Sequence, residues 1–383
     1  MENLTAPNTR LLSLDVFRGL TVAAMILVNN PGDWGNIYAP LEHAEWHGCT
    51  PTDLIFPFFL FIVGVSIAFS LGTKKEKGIA DKAIILSIIK RSAVLFLLGF
   101  TLNLMPDIFS DPIKAFSTVR IPGVLQRIAL VFLFSAILFY KTSVRTQLII
   151  FVFILIIYWA LLNLVPVPGG IAPNLEKETS LGAWLDRSIF TEAHLWKLSK
   201  TWDPEGLLST LPAIASGISG VLTGVLLRKK DNTANQKVLQ MLVAGIIAVV
   251  AGLIWNNYFP LNKALWTSSY VLFTSGLALF MLAIFYWLID VRNVKGFTKP
   301  FLVYGVNAIT VFFLSSVMAK LFNFIKVTDA TGTEVSLKTW LFQSYYVPSF
   351  SPLNASLAWA LTFVFFWLAV LWLMYNRKVF IKV

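Results

Sequence analysis

The side chains best suited to chemistry crowd into one short run, Leu41 to Pro57. It holds two of the three histidines, His43 and His47, the only cysteine, Cys49, and the acids Glu42, Glu45 and Asp53, with Trp46 between them. An apolar helix needs none of these to cross a bilayer, and polar groups beside lipid cost on the order of a few kcal/mol each unless they find partners. The run therefore reads as an active site. A neutral imidazole takes a proton from an attacking amine or hydroxyl near pH 7, which makes His43 a candidate base or nucleophile. His43 and His47 stand i, i+4 and would share a face of a helix, a zinc-ligand spacing. His194 is far away in sequence and Glu42 or Glu45 would have to complete the set, so no metal is expected. Asp53, with Thr50 and Thr52 before it, either caps the helix that follows or orients an imidazole. Asn29, in Asn29-Asn30-Pro31-Gly32, either caps the preceding helix or donates to a carbonyl oxygen that gains charge during acyl transfer.

Other polar groups recur at the ends of apolar runs. Asp15 and Arg18 stand i, i+3, a spacing that lets opposite charges meet, either as a structural pair or as part of an anion site. Gln126 and Arg127 fall just inside an apolar run, where a charge needs a partner or a ligand. Asp203 and Glu205 precede another run, Lys263 and Trp266 the next, and Asn307 lies within the one after. So many polar entrances on one side of a membrane argue for a shared polar cavity there.

The elements that would position these groups are transmembrane helices. The 383 residues are 57% hydrophobic and 13% charged, with a mean hydropathy of +0.72, far outside the range of a soluble domain. Runs of roughly 20 apolar residues, the length of a bilayer-crossing helix, recur at Leu11–Asn29, Asp53–Leu71, Ile84–Leu104, Gly123–Tyr140, Gln147–Val165, Leu207–Leu227, Val238–Trp255, Ser268–Ile289, Phe301–Ala319 and Leu357–Tyr375. The fold class expected is all-α, a single polytopic domain over 1–383 with about ten spans. The net charge of +11 sits in short clusters between runs, with no basic and aromatic face to follow nucleic acid. Arg10, Lys74, Lys75, Lys77, Arg228, Lys229, Lys230 and the tail with Arg377, Lys378 and Lys382 fall on one side, so positive-inside reasoning puts both termini in the cytoplasm and His43 on the far side. Two long far-side loops, 166–206 and 320–356, are candidates to cover a site. No internal repeat is legible.

Arg10-Leu-Leu-Ser13-Leu-Asp15-Val-Phe-Arg18-Gly19, then Asn29, then His43-Ala-Glu-Trp46-His47-Gly48-Cys-Thr-Pro-Thr-Asp53-Leu54-Ile-Phe56-Pro57, resembles heparan-alpha-glucosaminide N-acetyltransferase and its bacterial relatives. Gln126-Arg127, Asp203-Pro204-Glu205-Gly206, the run from Asn262 to Ser268, and Gly305 to Ala308 are similar to that family too. The resemblance implies a membrane acetyltransferase that takes acetyl-CoA from the cytosol and delivers acetyl to a glucosamine-type amine across the bilayer, with His43 at the catalytic histidine position and Asn29 at an active-site asparagine position. Asp53 is expected beside them. Asp15, Arg18, Lys90, Arg91, Gln126 and Arg127 are expected toward the donor, and Trp46, His47, Asp203, Glu205, Lys263, Trp266 and Asn307 toward the amino-sugar or glycan acceptor. The lack of a targeting signal and of a large luminal domain favours a bacterial cytoplasmic membrane as the location, and the resemblance implies a homodimer. His47 stands where the human-type motif has Asn, and no large luminal domain precedes the first shared helix. Both departures weigh against polymeric heparan as acceptor. Two rival functions remain from the residues: an amino-sugar transporter in which His43 and Asp53 couple protons, and an O-acyltransferase acting on an envelope glycan.

Overall fold

All ten apolar runs fold as helices. The structure, a computed structural model, describes residues 11–329 and 331–381; Arg10 and Lys382, two of the charges used to orient the chain, lie outside the described residues. The long helices are α1 (Leu12–Asn29), α2 (Ile55–Glu76, entered through a 3-10 turn at Pro51–Leu54) and α3 (Asp81–Leu104). After the short α4 (Pro112–Ser117) come α5 (Val124–Lys141) and α6 (Val144–Leu164), then α7 (Leu181–Phe190) in the first long loop. They are followed by α8 (Leu207–Arg228), α9 (Ala234–Asn256), α10 (Ser268–Phe285), α11 (Thr298–Val306), α12 (Ala308–Phe324), the short α13 (Leu337–Leu341) and α14 (Pro352–Asn376). A two-stranded hairpin, Lys326–Thr328 with Glu334–Ser336, lies in the second long loop. Among the described residues nine helices are long and apolar enough to cross a membrane, ten if α11 and α12 count as one. The protein is an all-α integral membrane protein.

One expected span is corrected. The run Phe301–Ala319 is not one straight helix: α11 and α12 meet at 79° across a break at Asn307. Asn307 has non-helical backbone angles, φ −122° and ψ 33°. A broken helix is tolerated at membrane depth where neighbouring groups satisfy the freed backbone.

Small residues set the packing. A Cβ at Gly64 or Gly220 would come within 2.0 Å of a backbone carbonyl oxygen of the facing helix, so α2 and α8 are held backbone to backbone in the way membrane helices favour. Gly19 and Gly305 do the same for α1 and α11, where added Cβ atoms would meet the Phe301 and Asp15 carbonyls. These two tight pairs, with α5 and α10 packed on them, form a bundle whose interior holds two cavities.

Candidate active site

Residues Glu42 to Thr50 do not form a helix, so His43 and His47 lose the shared face that a zinc spacing would need. The segment is an irregular loop shaped by its own polar groups. Gly48, at φ 117° where a side chain would be strained, donates its N–H to the Leu261 carbonyl at 2.7 Å. The Thr50 hydroxyl donates to the Glu42 carbonyl at 2.6 Å. Thr50 and Asp53 form a capping box, with Pro51 opening the turn between them.

Asp53 is both the cap and the partner of the imidazole. Its Oδ2 accepts from the backbone N–H of Ala44 and of Thr50, each at 3.0 Å, while Oδ1 lies 2.7 Å from His43 Nδ1. The carboxylate is buried and every neighbour is a donor, so Nδ1 carries its hydrogen toward Asp53 and Nε2 is left as the basic nitrogen. Tyr270 adds its hydroxyl to the Asp53 carbonyl at 2.5 Å. The two readings of Asp53 are thus one arrangement.

Lys263 reaches the same ring from the loop between α9 and α10. Asn262, fully buried, accepts the Leu265 N–H at 2.8 Å and thereby turns the chain so that Lys263 faces the cavity. Its Nζ is 3.0 Å from His43 Nδ1, 3.2 Å from Nε2 and 3.6 Å from Asp53 Oδ1. One nitrogen at near-equal distance from both ring nitrogens cannot lie along both in-plane lone pairs, so the amine sits over the ring face. Burial holds the Lys263 ammonium below the ordinary lysine range, against the pull of Asp53 and Glu205.

These groups open onto a cavity of about 540 Å³. Asn29 at the end of α1, Glu45, Trp46, Glu205 and Trp266 share its wall. Trp266, at φ 55°, is buried beneath, its indole N–H donated to Ser216 Oγ at 3.1 Å. The first long loop supplies a side that single-residue reasoning missed: Lys177, Trp196 and Trp202. Trp202 meets Trp46 edge to face at 5.2 Å and Trp196 at 5.6 Å, Lys177 lies 5.5 Å over the Trp46 ring, and Trp46 donates its N–H to the Leu175 carbonyl at 2.9 Å. Nothing local in the sequence joins these residues; only the aromatic content of 166–206 hints at them.

Arg120 was missed as a site residue too. Nε donates to Asp203 Oδ2 at 2.8 Å, Nη2 to Asp203 Oδ1 at 2.5 Å, and Nη2 also reaches Glu205. Burial opposes the Arg120 charge, but Glu205 and Asp203 outweigh it and hold the guanidinium above the usual arginine range. Burial likewise raises the Glu205 carboxyl, and the nearby Arg120 and Arg127 charges outweigh it and bring Glu205 below the ordinary value. Asp203 therefore serves the framework, and Glu205 alone of the two lines the cavity. Burial pushes the Cys49 thiol up to about 12, which leaves it a poor nucleophile.

Several expected site residues lie elsewhere. His47 is off the cavity wall, 3.4 Å from Asn262 Nδ2, its pKa lowered by burial. Arg127 is fully buried behind Trp266, with its guanidinium 5.2 Å from that ring, and Nη2 donates to the Gly206 carbonyl at 3.1 Å and to Ser209. Gln126 packs against α3, where a Cβ at Gly99 would come within 2.3 Å of its Oε1. The cavity-facing stripe of α5 is instead Val124 and Ile128, an i, i+4 pair that leaves 126 and 127 on other faces. Among the described residues no group of three or more His, Cys, Asp and Glu side chains comes together as a metal site.

A second cavity, about 270 Å³, continues toward the end of the bundle where α1 begins. Arg18 and Arg91 line it; Lys90, one position away on α3, faces outward and does not. Arg18 donates to Asp15 Oδ1 and to Ser66 Oγ, each at 2.7 Å, and Arg91 lies 4.8 Å over the Phe132 ring. The two cavities share helices: Met25, Phe56 and Val124 face the first, Arg18, Phe59 and Ile128 the second. Met25 and Arg18 are two turns apart on α1, roughly 10 Å.

Fold and site together define a polytopic membrane protein with two cavities on shared helices, one holding a histidine, carboxylate and lysine cluster and the other lined by two arginines. Residues 10–177 match the sequence profile of heparan-alpha-glucosaminide N-acetyltransferase, catalytic region. The whole chain is 30% identical to heparan-alpha-glucosaminide N-acetyltransferase of Mus musculus and 99% of it is 29% identical to that of Homo sapiens, covering 62% and 61% of those proteins. The chain thus spans about three fifths of the length of the curated relatives it matches, and the family resemblance read from its motifs is borne out. Lys263, Trp202 and the Asn307 break lie beyond the matched catalytic region but within the full-length similarity.

Proposed function

We propose that this protein is a membrane N-acetyltransferase that moves acetyl from acetyl-CoA to an amino sugar on the other side of the bilayer. The observation that supports it most is the pairing of the two cavities: a base on an Asp53 platform at one end, two guanidiniums suited to phosphates at the other, and about two turns of shared helix between them. The arginine end also carries the clusters of Lys and Arg that mark the cytoplasmic side. CoA is too charged to cross lipid, but its thin thioester arm fits a helix-lined path while its phosphates stay near Arg18 and Arg91.

In this reading the acceptor amine enters the larger cavity and is held against the wall formed by Trp46, Trp196 and Trp202, whose faces suit the C–H surface of a sugar ring. His43 Nε2 removes the amine proton as nitrogen attacks the thioester carbonyl. Asn29 donates to the oxyanion. The C–S bond then breaks, and the thiolate takes the proton from the imidazolium as CoA leaves. Asp53 holds the imidazole tautomer throughout.

Transfer of labelled acetyl from acetyl-CoA to glucosamine by the protein in vesicles tests this, with His43→Ala beside it. The expected outcome is transfer that falls by about 10³-fold in the variant while donor binding persists. Accumulation of unmodified sugar in sealed vesicles without acetyl-CoA would overturn the enzyme reading in favour of a transporter. Label recovered on a hydroxyl would make the protein an O-acyltransferase.

A further inference from the structure

Asn307, expected among acceptor-binding residues, is at the opposite end of the bundle from His43 and holds a different partner. Its Nδ2 donates to the Val379 carbonyl at 3.1 Å and its Oδ1 accepts the Ile381 N–H at 3.0 Å. One amide side chain thus reads the chain beyond α14 as a neighbouring strand would. The turn that brings that segment back is built in. Lys378 adopts φ 56°, the Val379 N–H returns to the Met374 carbonyl at 2.9 Å and the Lys378 N–H to Tyr375 at 3.0 Å, a Schellman close of α14. Tyr375 and Phe380 meet edge to face at 5.9 Å across it.

This returning segment ends on the arginine cavity: Ile381 is part of the wall, and so are Gly305, Val306, Ala308 and Ile309 on both sides of Asn307. The residue that latches the segment is therefore also the break residue between α11 and α12. On one side of the break α11 is fixed to α1 through Gly19 and Gly305; on the other α12 leaves at 79°. Two hydrogen bonds to one amide are a weak latch, reversible at ordinary temperature.

We propose that Val379–Ile381 is a strap that closes the Arg18 and Arg91 cavity, and that its release from Asn307 admits the donor. The proposal rests on that cavity being the donor site. It is tested with the full-length protein in detergent, a variant truncated after Lys378, and Asn307→Asp, which keeps the acceptor for Ile381 N–H but loses the donor to Val379. Labelled acetyl-CoA association is followed by rapid mixing, and backbone hydrogen exchange at 379–381 is read with and without CoA. Truncation is expected to speed association about tenfold, Asn307→Asp less, and CoA is expected to raise exchange at Ile381 in the intact chain. Arg91→Met separates the two levels. Weaker donor binding in Arg91→Met with unchanged or slower association in the truncated protein would overturn the strap and leave the donor site standing. Unchanged donor binding in Arg91→Met and in Arg18→Met would overturn the donor site, and the strap with it.

Discussion

The two cavities are held in opposite ways. Around His43 the buried charges are tied to one another: Asp53 to the imidazole and Lys263, Arg120 to Asp203 and Glu205. Beside helix residues such as Met25, Phe56 and Val124, much of this cavity's wall comes from loops pinned to one another, as Gly48 with Leu261 and Trp46 with Leu175 show. Around Arg18 and Arg91 the walls are helices, Arg18 is paired with Asp15 while Arg91 rests on an aromatic face, and part of the boundary is Val379–Ile381 held on a single amide. A buried charge network fixes geometry, because each group left alone would be costly. A helix break and a short strap leave room to move. Under the proposed function, this difference suits one end to holding reacting atoms still and the other to admitting and releasing the donor.

The sharpest way to break that comparison is to make one substitution at both ends. Arg120→Met leaves two buried carboxylates without their cation and is expected to cost about 3–5 kcal/mol of stability, read as a lowered melting temperature in detergent. Arg91→Met removes a cation from a ring and is expected to cost less than about 1 kcal/mol. Equal losses would erase the contrast. Next in size is Asp53→Asn. The amide must aim its NH₂ at a donor, either His43 Nδ1–H or the backbone N–H groups of Ala44 and Thr50. The imidazole is then driven to the wrong tautomer, and kcat is expected to fall by at least about 10²-fold, the lower end of what general-base catalysis supplies, with donor affinity retained. A retained kcat would show that Asp53 serves only as a cap.

The smallest effect probes how tightly the His43 end is framed. Asp186, on α7, accepts the N–H of Leu207 at 2.8 Å and so caps α8. Burial pushes its pKa up to about 7, opposed by that bond. A carboxyl raised above its unfolded value of 3.8 binds more protons when folded, so its contribution favours the fold at low pH and is lost as pH rises from about 4 through 7. Asp186→Asn keeps an acceptor for Leu207 and removes the charge. The fall in melting temperature between pH 5 and pH 8 is expected to flatten by a few degrees, roughly. An unchanged slope would place the titration elsewhere.

All ten apolar runs of the sequence became helices because length and hydropathy alone settle what can cross a bilayer. The exception, the break at Asn307, turned on one polar residue whose partner, the 379–381 backbone, lies more than 70 residues away. Asp53 was legible as a cap and as an imidazole partner because both roles act over ten residues or fewer. The same held for the Asp15 and Arg18 pair, whose spacing is local. Gln126 and Arg127 were read from polarity, but helix phase sends both away from the cavities, and the i, i+4 apolar pair Val124 and Ile128 takes the wall instead. Residue types and short-range spacing thus determined the membrane fold, the polar run around His43 and its imidazole partner. Tertiary structure alone decided that Lys263 sits on the His43 ring, that Arg120 gathers Asp203 and Glu205, and that tryptophans from the 166–206 loop face the site. Those contacts join residues 80 to 220 positions apart, and a one-dimensional pattern holds no record of which distant helix ends meet.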